Sequence, residues 1–161
     1  MSNGRHAIKL VTGMTLIYAF SYLAVGALAY ALITNQFYVG DNAVFTLYLR
    51  SESSPEQWSH VMAWQFPILF LRSLLIALVI LPFVSTLRKM PFWKSSILIF
   101  AFLFVLTHLA AAAPSPGNLE GIIYMKPELL SAHIFLLIQP EMLVQTLLVA
   151  GGFTYIIKRV Q

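Results

Sequence analysis

The sequence predicts an all-α integral membrane protein: four transmembrane helices in an antiparallel bundle, both termini cytoplasmic, and two larger outer loops. Three observations predict it. Of 161 residues, 59% are hydrophobic and only 10% are charged, whereas a soluble domain carries about 25% charge. Four apolar runs reach the ~20 residues that a helix needs to cross the hydrocarbon. The basic residues collect on one side of those runs, as the positive-inside rule requires of a cytoplasmic face.

The same composition, with a mean hydropathy of +0.80, excludes an ordinary soluble enzyme and a disordered chain. The length allows one transmembrane domain over 1–161. Cysteine is absent, so disulfides, thiolate metal sites, thiol relays and lipidated cysteines are excluded.

Span one is expected over about 10–33, preceded by Arg5 and Lys9. Ala27-Leu28-Ala29 imitates a signal-peptide cleavage site, but the apolar run is longer than a signal core and continues to Ile33. It reads as an uncleaved first span. An outer loop of about two dozen residues follows, Thr34 to Gln57. Its run Val44-Phe45-Thr46-Leu47-Tyr48-Leu49 is too apolar to hang in water and is expected on the membrane surface or over the bundle mouth. Span two covers about 61–84. A tight connection with Pro91 and the interfacial aromatics Phe92 and Trp93 leads to span three, about 95–113, so spans two and three are expected to be antiparallel neighbours. The second outer loop opens on the turn cluster Pro114-Ser115-Pro116-Gly117-Asn118 and carries the apolar patch Ile122-Ile123-Tyr124-Met125. Span four covers about 132–157.

Arg5, Lys9, Arg88, Lys89, Lys94, Lys158 and Arg159 place seven basic and no acidic residues on one side. The other side holds Arg50 and Lys126 with Asp41, Glu52, Glu56, Glu120 and Glu128. This puts the termini in the cytoplasm and suits a plasma (inner) membrane. The pI of 9.5 is thus a topology signal, and nucleic acid is not an expected partner.

Ionisable groups inside spans are costly and are functional candidates by default. Gln65 and Arg72 share one face of span two, seven residues apart; Glu141 and Gln145 share one face of span four. Arg72 and Glu141 lie at comparable depth, about 13–18 Å from the outer helix ends at the helical rise. They are expected to pair near the midplane, with Gln65 and Gln145 completing the hydrogen bonds. The pair serves either as a lock between spans two and four or as a site for a small anionic ligand, which the planar fork of Arg72 favours. Pro67 and Pro140 each remove a backbone donor, kinking the outer halves of these spans and opening a cavity outward.

His60, His108 and His133 fall near the outer interface, with Glu56 and Glu128 close in sequence. Three imidazoles suit zinc or copper, and two suit haem, but no fixed spacing such as HExxH is present. Tyr18, Tyr22, Gly26 and Tyr30 form a ladder on span one. It reads as a packing stripe with Gly26 at the close approach, or as hydroxyls facing a polar centre. No phosphate-binding loop, nucleophile elbow or calcium loop is present, and no catalytic set is complete.

The sequence therefore points to a small membrane protein with a buried polar centre between spans two and four. As a function it suggests an accessory or ligand-binding component of a membrane transport or sensing assembly, without a cofactor and with the bilayer, a membrane-protein partner or a second copy as partners. The alternative is an intramembrane metal- or haem-binding redox protein or enzyme using the outer histidines.

Overall fold

The computed structural model describes residues 2–40, 43–50 and 52–160. Asp41, counted above among the outer acidic residues, lies outside the described residues. Among those described, no strand forms. Four helical segments are long and apolar enough to cross a membrane: Gly4–Phe37, Pro55–Lys89, Phe92–Leu109 and Ala132–Arg159.

Helix α1 (Ser2–Ala29) runs straight into a π-helical turn, Tyr30–Thr34, and a 3-10 turn, Asn35–Phe37. In the wide turn, Asn35 N–H reaches back five residues to Tyr30 O. α2 (Pro55–Ile80) continues through a tight turn containing Pro82, Leu81–Phe83, into the short α3 (Val84–Lys89). α4 (Phe92–Leu103) also ends in a π-helical turn, Phe104–Leu109. The short α5 (Leu119–Tyr124) lies in the second loop, and α6 (Ala132–Arg159) closes the chain. α2 and α6 contain Pro67 and Pro140 without interruption.

The observed boundaries differ from those expected for physical reasons. α2 begins at Pro55 rather than near 61, because Pro suits the first helical position and Glu56 the positive dipole end. These turns are polar, so apolarity alone does not mark them. At 35 residues the α2–α3 segment is about 52 Å long. That exceeds the ~30 Å hydrocarbon, which leaves the first turns of α2 free to stand clear of it. α4 stops at Leu109 and not at 113, because the Asn118 amide takes the carbonyls of Ala111 (3.1 Å) and Ala113 (2.7 Å). The same side chain accepts from Ser115 N (3.1 Å) and Gly121 N (2.8 Å). One residue, 1% exposed, thus organises the turn cluster and caps α5.

The helices pack as a row, α2 on α1, α1 on α6 and α6 on α4. α2 and α4 are not close neighbours along their length, contrary to the expectation from their short connection. Their side chains meet in the common core, where Ala77 and Ile80 join Met14, Ile99, Leu103 and Phe153. The row depends on a small-residue seam between α1 and α6. A Cβ on Gly152 would lie 2.5 Å from Ile17 Cγ2, and one on Gly13 would lie 3.2 Å from Ile156 Cδ1. Gly26, the expected close approach, is looser, its Cβ position lying 3.7 Å from Glu141 Oε1.

The ends of the row are tied in different ways. Arg88 donates from Nε to Ile157 O (2.9 Å) and also to Val160 O; Lys158 donates to Leu87 O (2.8 Å), Arg88 O (2.9 Å) and Met90 O. Each cation thus satisfies the final carbonyls of the other's helix, where the dipole is negative. At the opposite end the first loop folds back on α6, and Phe37 and Phe45 bury against Ile134 and Ile138. Of the apolar run 44–49, Phe45 and part of Val44 thus pack on the bundle end, while Leu47, Tyr48 and Leu49 remain exposed. Ile122, Ile123 and Tyr124 stay exposed.

The seam yields a test. Gly152→Ala forces Ile17 aside and is expected to lower stability in detergent by about 1–3 kcal/mol. Gly151→Ala, where a Cβ meets nothing within 4 Å, is expected to be neutral or stabilising. Equal melting shifts for the two variants would show that the seam does not control packing.

Candidate functional site

Because α2 and α6 flank α1 without closing on each other, a two-lobed cavity remains beside α1 at the loop end. The larger lobe is about 660 Å³ and the smaller about 380 Å³. Tyr22, Tyr30, Tyr38, Glu52, Trp58 and Gln65 line both lobes. The volume suits a small ligand, and the lining mixes aromatic walls with few charges, as binding cavities do.

Arg72 lines the larger lobe. Its guanidinium carbon lies 5.7 Å from the Tyr18 ring centroid and 5.9 Å from that of Tyr22. Among the described residues it has no hydrogen-bond partner and no ion pair within 4.0 Å. Glu141 lines the smaller lobe and likewise has no hydrogen bond or ion pair among the described residues. The expected Arg72–Glu141 contact is therefore not made. The depths were comparable, but α1 stands between the helices and its tyrosine faces take the guanidinium instead. The polar centre accordingly lies along α1 and not directly between spans two and four.

The remaining expected residues divide. Gln65 lines both lobes. Gln145 is only 3% exposed and makes no hydrogen bond. It borders a separate cavity of about 10 Å³ with Tyr18, Thr107, His108 and Thr146, room for about one water. The tyrosine ladder of α1 faces this polar region, so it is more than a packing stripe: Tyr18 borders the small cavity, and Tyr22 and Tyr30 line the large one.

The histidines do not converge. His60 is exposed on α2 beside Trp64, their ring centroids 6.5 Å apart. His133 is exposed in the first turn of α6, and His108 borders the small cavity. Among the described residues no group of three or more His, Asp or Glu is placed to hold a metal ion. The expected convergence of His60, His108 and His133 in one three-ligand group is therefore not seen among the described residues.

Several cavity residues escaped the sequence reading. Tyr38 meets Tyr30 at 5.5 Å between centroids, with the rings inclined by 57°. Tyr30 donates its hydroxyl to Glu52 Oε1 at 2.9 Å, tying the first loop to α1. Burial, and after it the Glu141 carboxylate, push the Tyr38 hydroxyl up to about 12. It therefore remains a neutral donor at neutral pH. Burial likewise raises Tyr48. The available signal was aromatic density, since Tyr30, Tyr38, Tyr48, Trp58 and Trp64 fall within 35 positions of each other in sequence.

No family model, curated protein or solved structure matches this chain.

Separation of the two charges predicts additivity. In a double-mutant cycle on stability, Arg72→Gln and Glu141→Gln are expected to couple by less than about 0.5 kcal/mol. Coupling well above about 1 kcal/mol would mean that the two side chains do pair.

Proposed function

We propose that this is a four-span integral membrane protein whose cavity binds a small anionic ligand at Arg72, as an accessory or ligand-binding component of a transport or sensing assembly. The observation that carries the reading is an unpaired guanidinium lining a cavity of about 660 Å³, held over two tyrosine faces. A half-buried cation without a carboxylate partner among the described residues leaves its N–H donors for a ligand. A planar fork matches carboxylate or phosphate. No residue beside it completes a set of nucleophile, base and orienting group, so binding is favoured over catalysis.

The orientation belongs to the same proposal. The α1–α6 contacts Gly13–Ile156, Ile17–Gly152 and Gly26–Glu141 support an antiparallel pair. The joined basic side chains Arg88 and Lys158 support a common cytoplasmic end. The cavity then faces outward across a plasma (inner) membrane.

Two measurements test this. The chain has no cysteine, so single-cysteine variants report sidedness directly. Glu120→Cys is expected to react with an impermeant maleimide on intact cells, and Lys89→Cys only after permeabilisation. The reverse pattern would invert the topology. Ligand binding is read from the fluorescence of Trp58 and Trp64 with a panel of small carboxylates and phosphates. Arg72→Gln is expected to weaken any bound anion by at least tenfold, and Arg72→Lys by less. A panel that leaves the wild-type signal unchanged, or an anion held equally by Arg72→Gln, would overturn the site.

A further inference from the structure

The two lobes differ in charge. Glu52 lines both; beside it the larger lobe holds Arg72 and Arg50, and the smaller holds Glu141. Glu52 is engaged by the Tyr30 hydroxyl, whereas Glu141 has no hydrogen bond or ion pair among the described residues. Tyr22, Tyr30, Tyr38 and Trp58 line the smaller lobe as they do the larger, but only in the smaller do they stand with Glu141. The Tyr30 and Tyr38 rings, 5.5 Å apart and inclined by 57°, form a corner of aromatic faces. Ring faces carry negative quadrupole potential, and several around one point hold an alkylated ammonium within about 6 Å of each centroid. A carboxylate beside such a corner adds a full charge of the same sign. An anion would meet the opposite in this lobe.

We infer that the ligand is a zwitterion, its carboxylate or phosphate on Arg72 in the larger lobe and its substituted ammonium in the smaller lobe, between Glu141 and the shared aromatics Tyr22, Tyr30, Tyr38 and Trp58. This rests on the assignment of Arg72 as the anion site and adds the second half of the ligand. Gln65, common to both lobes, sits where the linker between the two charges passes. On α2 it stands seven residues before Arg72, about 10 Å along the helix, so a linker of several atoms is expected. A free solute and a phospholipid headgroup share this chemistry.

The experiment compares isosteres. ω-Trimethylammonio-alkanoates of increasing chain length are titrated against their tert-butyl counterparts, which keep shape and carboxylate but lack the positive charge. The readout is tryptophan fluorescence of the intact chain in nanodiscs of phosphatidylglycerol. The best zwitterion is expected to bind about tenfold more tightly than its isostere. Glu141→Gln and, independently, Tyr38→Leu should remove that preference while leaving the isostere's affinity in place. Arg72→Gln should weaken both. Equal binding of the two members, with both lost in Arg72→Gln, would overturn the zwitterion while leaving the anion site. Preference retained in folded Glu141→Gln and Tyr38→Leu proteins would also overturn the assignment of the ammonium lobe. No binding by any member, together with no fluorescence change when phosphatidylcholine is introduced into the nanodiscs, would overturn both readings. Competition by phosphatidylcholine supports the proposal with a headgroup as source, and micromolar binding of a free member supports it with a solute.

Discussion

The close contact of α1 with α6 is the constraint on which the rest depends. In lipid, no hydrophobic force distinguishes a neighbouring helix from a neighbouring chain, so helices associate where small residues let them approach. Gly13 and Gly152 supply that approach and are matched by Ile156 and Ile17. With α1 held on α6, α4 packs on the far side of α6 and α2 on the far side of α1. The tyrosine ladder of α1 then faces the space between α2 and α6, and the cavity follows from that order. A bundle in which α2 met α6 directly would have closed it.

The two ends stabilise this row differently. At the basic end the connection between α3 and α4 is rigid, since the Ser95 hydroxyl donates to Leu87 O at 2.8 Å and Lys158 holds the neighbouring carbonyls. Convergence is enforced there, and apolar side chains of all four spans meet in one core. At the loop end no comparable tie joins α2 to α6. Both loops instead fold on α6, the first through Phe45 and the second through the 3.2 Å bond that Gln139 donates to Gly117 O. The helices are thus fastened at one end and parted at the other, and the parted end carries the cavity. Both π-helical turns, at Tyr30–Thr34 and Phe104–Leu109, lie towards it and present Tyr30 and His108 to cavities. Such wide turns often occur where a helix is re-aimed for function.

The existence of four helices long and apolar enough to cross a membrane was legible because apolar length is a one-dimensional property. The start of α6 was also legible, since Ser131 caps it by accepting from Ile134 N. The neighbour order was not. It turns on which glycines meet which isoleucines, and Gly152 looks no different in sequence from Gly151, beside which nothing lies within 4 Å. Arg72 and Gln65 were found as costly polar residues in apolar runs. The aromatic lobe was missed because Tyr38, Glu52 and Trp58 come from a loop and from polar first turns outside the expected spans. Only the folding back of that loop brings them to α1.

Arg72 illustrates why comparable depth does not make an ion pair. An arginine at the centre of a membrane helix costs about 2.5–3.5 kcal/mol on insertion scales. Pairing with Glu141 would be one remedy. The fold uses another: two tyrosine faces, each worth about 0.5–2 kcal/mol to a guanidinium, and a cavity that admits polar contact. A structural lock needs its two charges in contact, because an uncompensated buried charge is destabilising. Here both charges line the same two-lobed space without touching, one on each lobe. That arrangement suits a molecule that brings the complementary charges with it, and it leaves α2 and α6 free of a direct bond that would hold the cavity shut.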